Sequence, residues 1–134
     1  MEYQTYDAGI CIMTKIISLM SGRWKPIILH LIRNDINRFS LMQKSMPKIS
    51  KKILTEQLRE LEDDKLILRQ VQGRKAPYIV TYTLSERGVA LRKLMDDMIS
   101  WGMIHFKDDY SNALIEEYNF KPPVNKFVSK QIVC

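Results

Sequence analysis

The sequence has few of the residues that cross-link small domains or bind metals. Its 134 residues include two cysteines, Cys11 and Cys134, and two histidines, His30 and His105. Two cysteines cannot form a disulfide scaffold, and the four side chains have none of the spacings of a zinc site. We therefore expect no metal, no cofactor and a reducing compartment, for which the cytoplasm is the default.

Long apolar runs are also missing. No stretch of about 18 consecutive apolar residues occurs, so the sequence predicts no membrane span. The first seven residues are polar and acidic, unlike the start of a secretory signal. At 46% apolar and 27% charged residues, the composition is that of a globular chain rather than a disordered one. The length suits one domain with a single core.

Motifs of enzyme active sites are absent as well. The chain has no Gly-rich phosphate loop, no nucleophile elbow and no carboxylate pair in a plausible cleft. His30 lies between Leu29 and Leu31, where it is better explained as an ordinary helix residue than as a general base. We expect a protein that is not an enzyme and has no catalytic residues.

What the sequence does contain is a concentration of positive charge. The formal net charge is +6, and residues 15–75 hold 14 Lys and Arg against 6 Asp and Glu. Residues 76–134 hold seven of each sign. A solubility adaptation would spread the surplus along the chain, whereas a nucleic-acid-binding surface concentrates it. A basic face that only contacts solvent is the alternative interpretation.

Hydrophobic periodicity predicts five helices and two strands. Pro26 falls in the first turn of a helix, and Ser50 and Ser85 are good N-caps. Gly88, inside the last helix, finds no explanation in the sequence. The predicted helices cover residues 11–20, 24–33, 39–46, about 50–64 and 85–106, and the strands cover 65–71 and 78–84.

This order of elements predicts a winged helix-turn-helix, a mainly α fold with a small β-hairpin wing (α+β). Residues 1–106 then form the DNA-binding domain, which ends in a dimerisation helix, and residues 107–134 form a C-terminal extension. The wing tip lies at about residues 72–77 and carries Arg74 and Lys75.

The helix at about 50–64 is amphipathic and is the predicted recognition helix. On a helical projection one side collects Ile53, Leu54, Gln57, Leu58 and Leu61, and the other collects Lys52, Thr55, Glu56 and Arg59, with Lys51 at its margin. A solvated helix face is the alternative, but the preceding turn and the basic hairpin favour DNA.

Each residue type on the outer side has a chemical role at a major groove. Lys51 and Lys52 can contact phosphates beside the helix N-terminus. Arg59 can pair with guanine, Glu56 can accept from cytosine, and Thr55 can contact a base edge or a methyl group. The wing-tip cations can reach the adjacent minor groove. The predicted DNA-binding residues are Arg38, Lys48, Ser50, Lys51, Lys52, Thr55, Glu56, Arg59, Arg74 and Lys75.

Five ordered motifs, within about residues 8–106, resemble the HxlR family of bacterial transcription regulators. SGRWKPIIL at 21–29 is similar to the family's GGKW(K/T)…IL opening, and RFSL at 38–41 to its RF.EL helix start. ISKKILTEQLRELE at 49–62 is similar to IS.K.LT..LREL(E), nearly residue for residue. VTYTLSERG at 80–88 is similar to VEY.LT..G, and Trp101-Gly102 to the Trp-Gly that closes the family's last helix.

The resemblance implies a dimeric, sequence-specific DNA-binding protein whose first and last helices form the dimer contact. A two-fold dimer would bind a pseudo-palindromic operator of double-stranded DNA. The last helix has an apolar seam that favours this arrangement, although such a seam also suits the protomer's own core. The predicted interface residues are Leu91, Leu94, Met95, Met98 and Trp101.

Cys11 is the candidate redox sensor. It lies near the start of the first helix, where the helix dipole can lower a thiol pKa, and some HxlR-type regulators resemble redox switches with a thiol at this position. The alternative is a small apolar residue packed at the dimer interface.

Two other functions stay open. One is a repressor that responds to an aromatic or quinone-like small molecule held between the dimer helix and the DNA-binding domain, near Trp24, Trp101 and Phe106. The other is a winged helix that binds protein instead of DNA, which the basic surplus disfavours. Salt dependence of DNA binding would distinguish it.

Overall fold

A computed structural model describes Gly9 and residues 11–106 of the chain. The proposed C-terminal extension, residues 107–134 with Cys134, lies outside this part. The described elements are α1 (Ile12–Leu19), α2 (Lys25–Arg33), α3 (Phe39–Ser45), α4 (Lys51–Asp63), β1 (Ile67–Gln72), β2 (Ile79–Leu84) and α5 (Glu86–Phe106). The predicted number, type and order of elements are confirmed.

The two strands form an antiparallel hairpin, the wing of a winged helix-turn-helix. Ile67 pairs with Leu84 at the base, and Gln72 pairs with Ile79 next to the tip. The backbone N–H of Tyr82 donates to the carbonyl of Asn37 at 2.9 Å, which ties the loop before α3 to the sheet. The winged helix-turn-helix predicted from the sequence is therefore the observed fold.

The core lies between α2, α4 and the base of the hairpin. Ile28, Met42, Met46, Leu54, Leu61 and Leu66 are fully buried. In α2, Ile28, Leu29, His30, Leu31 and Ile32 are buried. The ring of His30 is 6% exposed, and the Asn34 side-chain nitrogen lies 3.3 Å from its Nε2.

Some sequence expectations differ from the structure in strand start, burial or helix start. β1 begins at Ile67 and not at Lys65, because Lys65 has a φ of 59° and Leu66 N–H donates back to the Leu61 carbonyl. This bond closes the C-terminus of α4, so the chain cannot yet be extended. Ile53, predicted on the buried side of α4, is 36% exposed, and Trp24 is the N-cap of α2 rather than its first residue.

Gly88 allows α5 to approach the start of the hairpin. A Cβ atom at this position would lie 2.1 Å from the carbonyl oxygen of Leu66. That oxygen also accepts the N–H of Ser85 at 3.0 Å, and the Ser85 hydroxyl accepts the N–H of Gly88 at 3.0 Å. The glycine that the sequence left unexplained is therefore required by a backbone contact between α5 and the end of α4.

We expect Gly88→Ala to destabilise the fold by about 1–3 kcal/mol, because the new methyl group must displace a hydrogen-bonded carbonyl. Urea unfolding measures the change in the free energy of unfolding. The control is Ala90→Gly, an exposed site on the same helix, where the lower helix propensity of glycine alone should cost about 1 kcal/mol. If propensity also governed position 88, Gly88→Ala would stabilise the protein, and the steric account would be wrong.

Candidate nucleic-acid interface

The turn between α3 and α4 sets the direction of the predicted recognition helix. The Ser50 hydroxyl accepts the N–H of Ile53 at 3.1 Å, which confirms Ser50 as the N-cap of α4. The first turn of α4 contains no acidic residue, and Lys51 and Lys52 are both exposed there. The helix N-terminus, with its partial positive charge, is thus flanked by two cations.

The outward side of α4 continues with Glu56 and Arg59, which are both exposed. Thr55 is half-buried, and its hydroxyl donates to the Lys51 carbonyl at 2.8 Å. With the hydroxyl engaged by its own helix, the methyl group is the part of Thr55 that remains for an apolar contact. The opposite side buries Leu54, Leu58 and Leu61 in the core.

The remaining predicted DNA-binding residues lie on neighbouring segments. Arg38 is the exposed N-cap of α3, and Lys48 is exposed in the turn before α4. Arg74 and Lys75 are exposed at the tip of the hairpin, just after Gly73, which has a φ of 112°. The structure thus brings the residues from Lys48 to Arg59 together on one helix-turn-helix and places the last two on a separate element.

An ion pair that the sequence analysis missed fixes α4 to α2. The ammonium group of Lys25 lies 2.6 Å from a carboxylate oxygen of Glu60. The Lys25 side chain is 10% exposed, so this cation is largely desolvated. The sequence signal for this ion pair was a lysine at the start of a mostly apolar helix. This ion pair attaches α4 to α2.

A second missed ion pair joins α2 to α5. Arg33 Nη1 donates to Asp96 Oδ1 at 2.5 Å, and the Arg33 side chain is 9% exposed. The two residues are 63 positions apart in the sequence. Their contact holds the middle of α5 against the end of α2.

The exposed apolar side chains concentrate at the two ends of the described chain. On α5, Leu94, Met98 and Trp101 are 43%, 46% and 59% exposed. Leu91 and Met95, also predicted for a dimer interface, pack against the protomer's own core. On α1, Ile12, Met13 and Ile17 are exposed, and α1 buries none of its residues fully.

Cys11 is the N-cap residue of α1 and is partly exposed. The Thr14 hydroxyl, with the backbone N–H groups of Thr14 and Met13, lowers the pKa of the Cys11 thiol below its ordinary value, because hydrogen bonds to the sulfur favour the thiolate. Burial opposes this shift only weakly. Cys11 is therefore a partly exposed thiol whose hydrogen bonds favour the thiolate.

The described residues offer neither a metal cluster nor a membrane span. Among Gly9 and residues 11–106, no group of three His, Cys, Asp or Glu side chains is placed to hold a metal ion. In the same part of the chain, no helix combines the length and apolar character that crossing a bilayer requires.

The wing, the capped helix and its cationic outer face define a winged helix-turn-helix transcription regulator. The chain belongs to the HxlR-like helix-turn-helix family, whose profile matches residues 19–110. The membership expected from the five motifs is confirmed.

Named relatives include regulators from two bacteria. The chain is 38% identical over 93 residues to a regulatory protein named MalR of Fusobacterium mortiferum, covering 69% of this chain and 87% of the relative. It is 37% identical over 89 residues to the HTH-type transcriptional regulator YodB of Bacillus subtilis, covering 66% and 79%.

Similar solved structures include a redox regulator and two forms of YodB. The reduced form of the redox regulator HypR superposes with a TM-score of 0.66 at 30% identity, covering 75% of this chain and 100% of HypR. Diamide-treated YodB from B. subtilis gives 0.61 at 36% identity, covering 72% and 95%. Quinone-bound YodB gives 0.59 at 36% identity, covering 69% and 97%.

Proposed function

We propose that this transcription regulator binds a pseudo-palindromic DNA operator as a homodimer in the cytoplasm and that oxidants or electrophiles control it through Cys11. α4 enters the major groove of each half-site, and the wing tip with Arg74 and Lys75 contacts the adjacent minor groove. The observation that carries the DNA-binding part is the exposed outer face of α4. It presents Lys51, Lys52 and Arg59 from a helix that is capped and held by the core.

The charges on α4 support distinct contacts along the helix. Lys51 and Lys52 stand at the first turn, where backbone N–H groups also favour a phosphate. Glu56 and Arg59 lie one and two turns further on, at a depth suited to base edges. Glu56 is unsuited to a phosphate contact, so its place on this face favours base readout, with cytosine N4 as its donor.

The exposed apolar faces of α5 and α1 support the homodimer. Leu94, Met98 and Trp101 recur at helical spacing on the side of α5 that the protomer's core does not cover. Apolar surface of this kind on a small domain is favourable to bury against a second copy. A second copy would also place a second α4 in register with the other half of a palindrome.

The environment of Cys11 supports the redox part of the proposal. Its lowered pKa increases the thiolate fraction near neutral pH, and the thiolate is the form that attacks oxidants and quinones. Relatives with solved structures include a redox regulator and a regulator that has been treated with diamide or bound to a quinone. A small-molecule effector without thiol chemistry is the alternative.

Arg59→Ala is expected to weaken binding to the specific operator by about 1–3 kcal/mol and to relax the preference at one base pair. Lys51→Ala should instead weaken binding to all sequences alike and reduce the salt slope by about one. Fluorescence anisotropy on an operator selected from random DNA measures both effects. Lys93→Ala, an exposed cation on α5, is the control. Unchanged affinity and base preference in Arg59→Ala would remove Arg59 from base readout.

Met98→Glu is expected to weaken dimerisation by about tenfold or more, because a charge replaces an apolar group in the proposed interface. Met98 is 46% exposed in the protomer, so the fold should tolerate the change. Sedimentation equilibrium measures the dimer dissociation constant. Ser100→Glu adds the same charge at an exposed position on another side of α5 and is the control. Equal constants for the two variants would contradict this interface.

Diamide is expected to change the operator affinity of the wild type by about 5- to 150-fold and to leave Cys11→Ser unchanged. The Cys11 thiolate adds to diamide. A second thiol, from a cysteine of the other copy in the proposed dimer, then displaces the reduced hydrazine and leaves a disulfide. Thr14→Val should raise the Cys11 pKa and slow this reaction at pH 7, with the difference vanishing at a pH above both pKa values. Ser18→Ala, on the same helix, is the control. Equal responses of the wild type and Cys11→Ser would end the redox proposal.

A further inference from the structure

A cleft opens between α2, the end of β2 and α5, away from the face assigned to DNA. It has about 310 Å³ of empty space, including its open mouth. Four apolar side chains, Leu29, Leu84, Met95 and Ile99, line its walls. The polar lining residues are His30, Arg33, Arg92 and Asp96.

The cleft holds more positive than negative charge. Its lining residues include two arginines, Arg33 and Arg92, whereas Asp96 supplies the one carboxylate. The Asp96 carboxylate pairs with Arg33 through Nη1. Among the residues that the structure describes, Arg92 makes no ion pair within 4 Å, and the Asp96 carboxylate acts on it only at longer range.

Arg33 supplies a buried donor that is not used. Its side chain is 9% exposed, and within the described part of the chain its Nε has no hydrogen-bond partner. A buried donor without an acceptor is costly, and it is uncommon in folded proteins. Burial and the nearby Arg33 charge also lower the pKa of Arg92, whereas Asp96 raises it. The two guanidinium groups thus outnumber the one carboxylate among the lining residues.

We propose that this cleft binds a small monocarboxylate with a short apolar body. The carboxylate would accept from Arg33 and Arg92 and compete with Asp96 for Arg33, since guanidinium groups bind carboxylates in a paired geometry. The apolar body lies toward the mouth against the aliphatic walls.

The position of the cleft gives such a ligand a regulatory consequence, which rests on the proposed function. Asp96 on α5 is bonded to Arg33 on α2, and α2 also holds α4 through the pair of Lys25 with Glu60. A ligand carboxylate that displaces Asp96 loosens the link between the proposed dimer helix and the DNA-binding unit. The binding step itself needs neither DNA nor a dimer.

The test is an NMR titration of the full chain with butyrate, without DNA and at constant ionic strength. We expect shifts of the arginine Nε–H signals with a dissociation constant of about 1 mM, a value suited to a ligand of this size. Butyramide, which has the same shape without charge, is the matched ligand and should bind at least about tenfold more weakly. Equal shifts with both ligands would show an apolar contact only and overturn the proposal.

Variants distinguish specific binding at the cleft from nonspecific attraction to the positive charge of the protein. Arg92→Gln should weaken butyrate binding about tenfold, whereas Arg92→Lys should retain part of it and Lys93→Gln, an exposed cation on the same helix, should leave it unchanged. Asp96→Asn should strengthen binding by removing the competing carboxylate. Dispersed amide spectra confirm that each variant is folded. Equal weakening in Arg92→Gln and Lys93→Gln would overturn the site.

A second arm tests the regulatory consequence separately. Saturating butyrate should shift the operator affinity of the wild type by about fivefold or more and leave that of Arg92→Gln unchanged. Butyrate binding without any change in operator affinity would keep the site and overturn the coupling. Loss of DNA binding in the unliganded protein would instead count against the proposed function alone, because the ligand titration contains no DNA.

Discussion

The fold depends on the attachment of α4 to α2. Leu54, Leu58 and Leu61 of α4 pack into one core with Ile28, Leu31 and Ile32 of α2, and the ion pair of Lys25 with Glu60 closes its edge. A fully desolvated lysine would be costly, and Glu60, whose side chain is 53% exposed, offsets that cost while keeping contact with water. A helix held along its whole inner side can present its outer side without rearrangement, which lowers the cost of binding.

The second constraint is how α5 begins. Ser85 and Gly88 lie against the carbonyls of Lys65 and Leu66, where α4 ends and β1 starts. The Ser85 hydroxyl donates to the Lys65 carbonyl at 2.5 Å, and Arg87 donates to the carbonyl of Asp64 at 3.1 Å. The segment that follows α4 therefore positions the start of α5. Because these contacts join the two helices, a movement of α5 would alter its angle to α4.

Much of this arrangement could be predicted from the sequence, because periodicity and capping are local. The buried leucines of α4, the Ser50 cap and the order of elements all follow from spacing within a few residues. The start of β1 could not be placed, since Lys65 adopts a left-handed conformation to satisfy carbonyls of the preceding helix. Thr55 lies on the predicted side of α4, but its hydroxyl donates to the Lys51 carbonyl, so its methyl group is the part left for an outside contact.

Long-range pairs were beyond the reach of the sequence. Arg33 and Asp96 lie on two helices that are far apart in the sequence. Gly88, which lets α5 approach the Leu66 carbonyl, is a residue that local propensity treats only as a defect. The apolar seam on α5 was similarly ambiguous, since spacing cannot tell which of two adjacent stripes faces the protomer. The structure assigns Leu91 and Met95 to the core and leaves Leu94, Met98 and Trp101 outside it.

The placement of chemistry along the chain suggests how such a regulator can be controlled without altering its base contacts. The surplus cations lie on the helix-turn-helix and the wing, whereas Cys11 and the Arg33–Arg92 cleft lie on or beside the helices proposed to dimerise. An effector at either place would meet none of the residues proposed to read bases. In the proposed dimer it would act on DNA affinity by changing how the two copies of α4 are spaced, and binding to half-sites one helical turn apart is sensitive to that spacing. Oxidation and anion binding would thus converge on one geometric variable while the recognition surface stays constant.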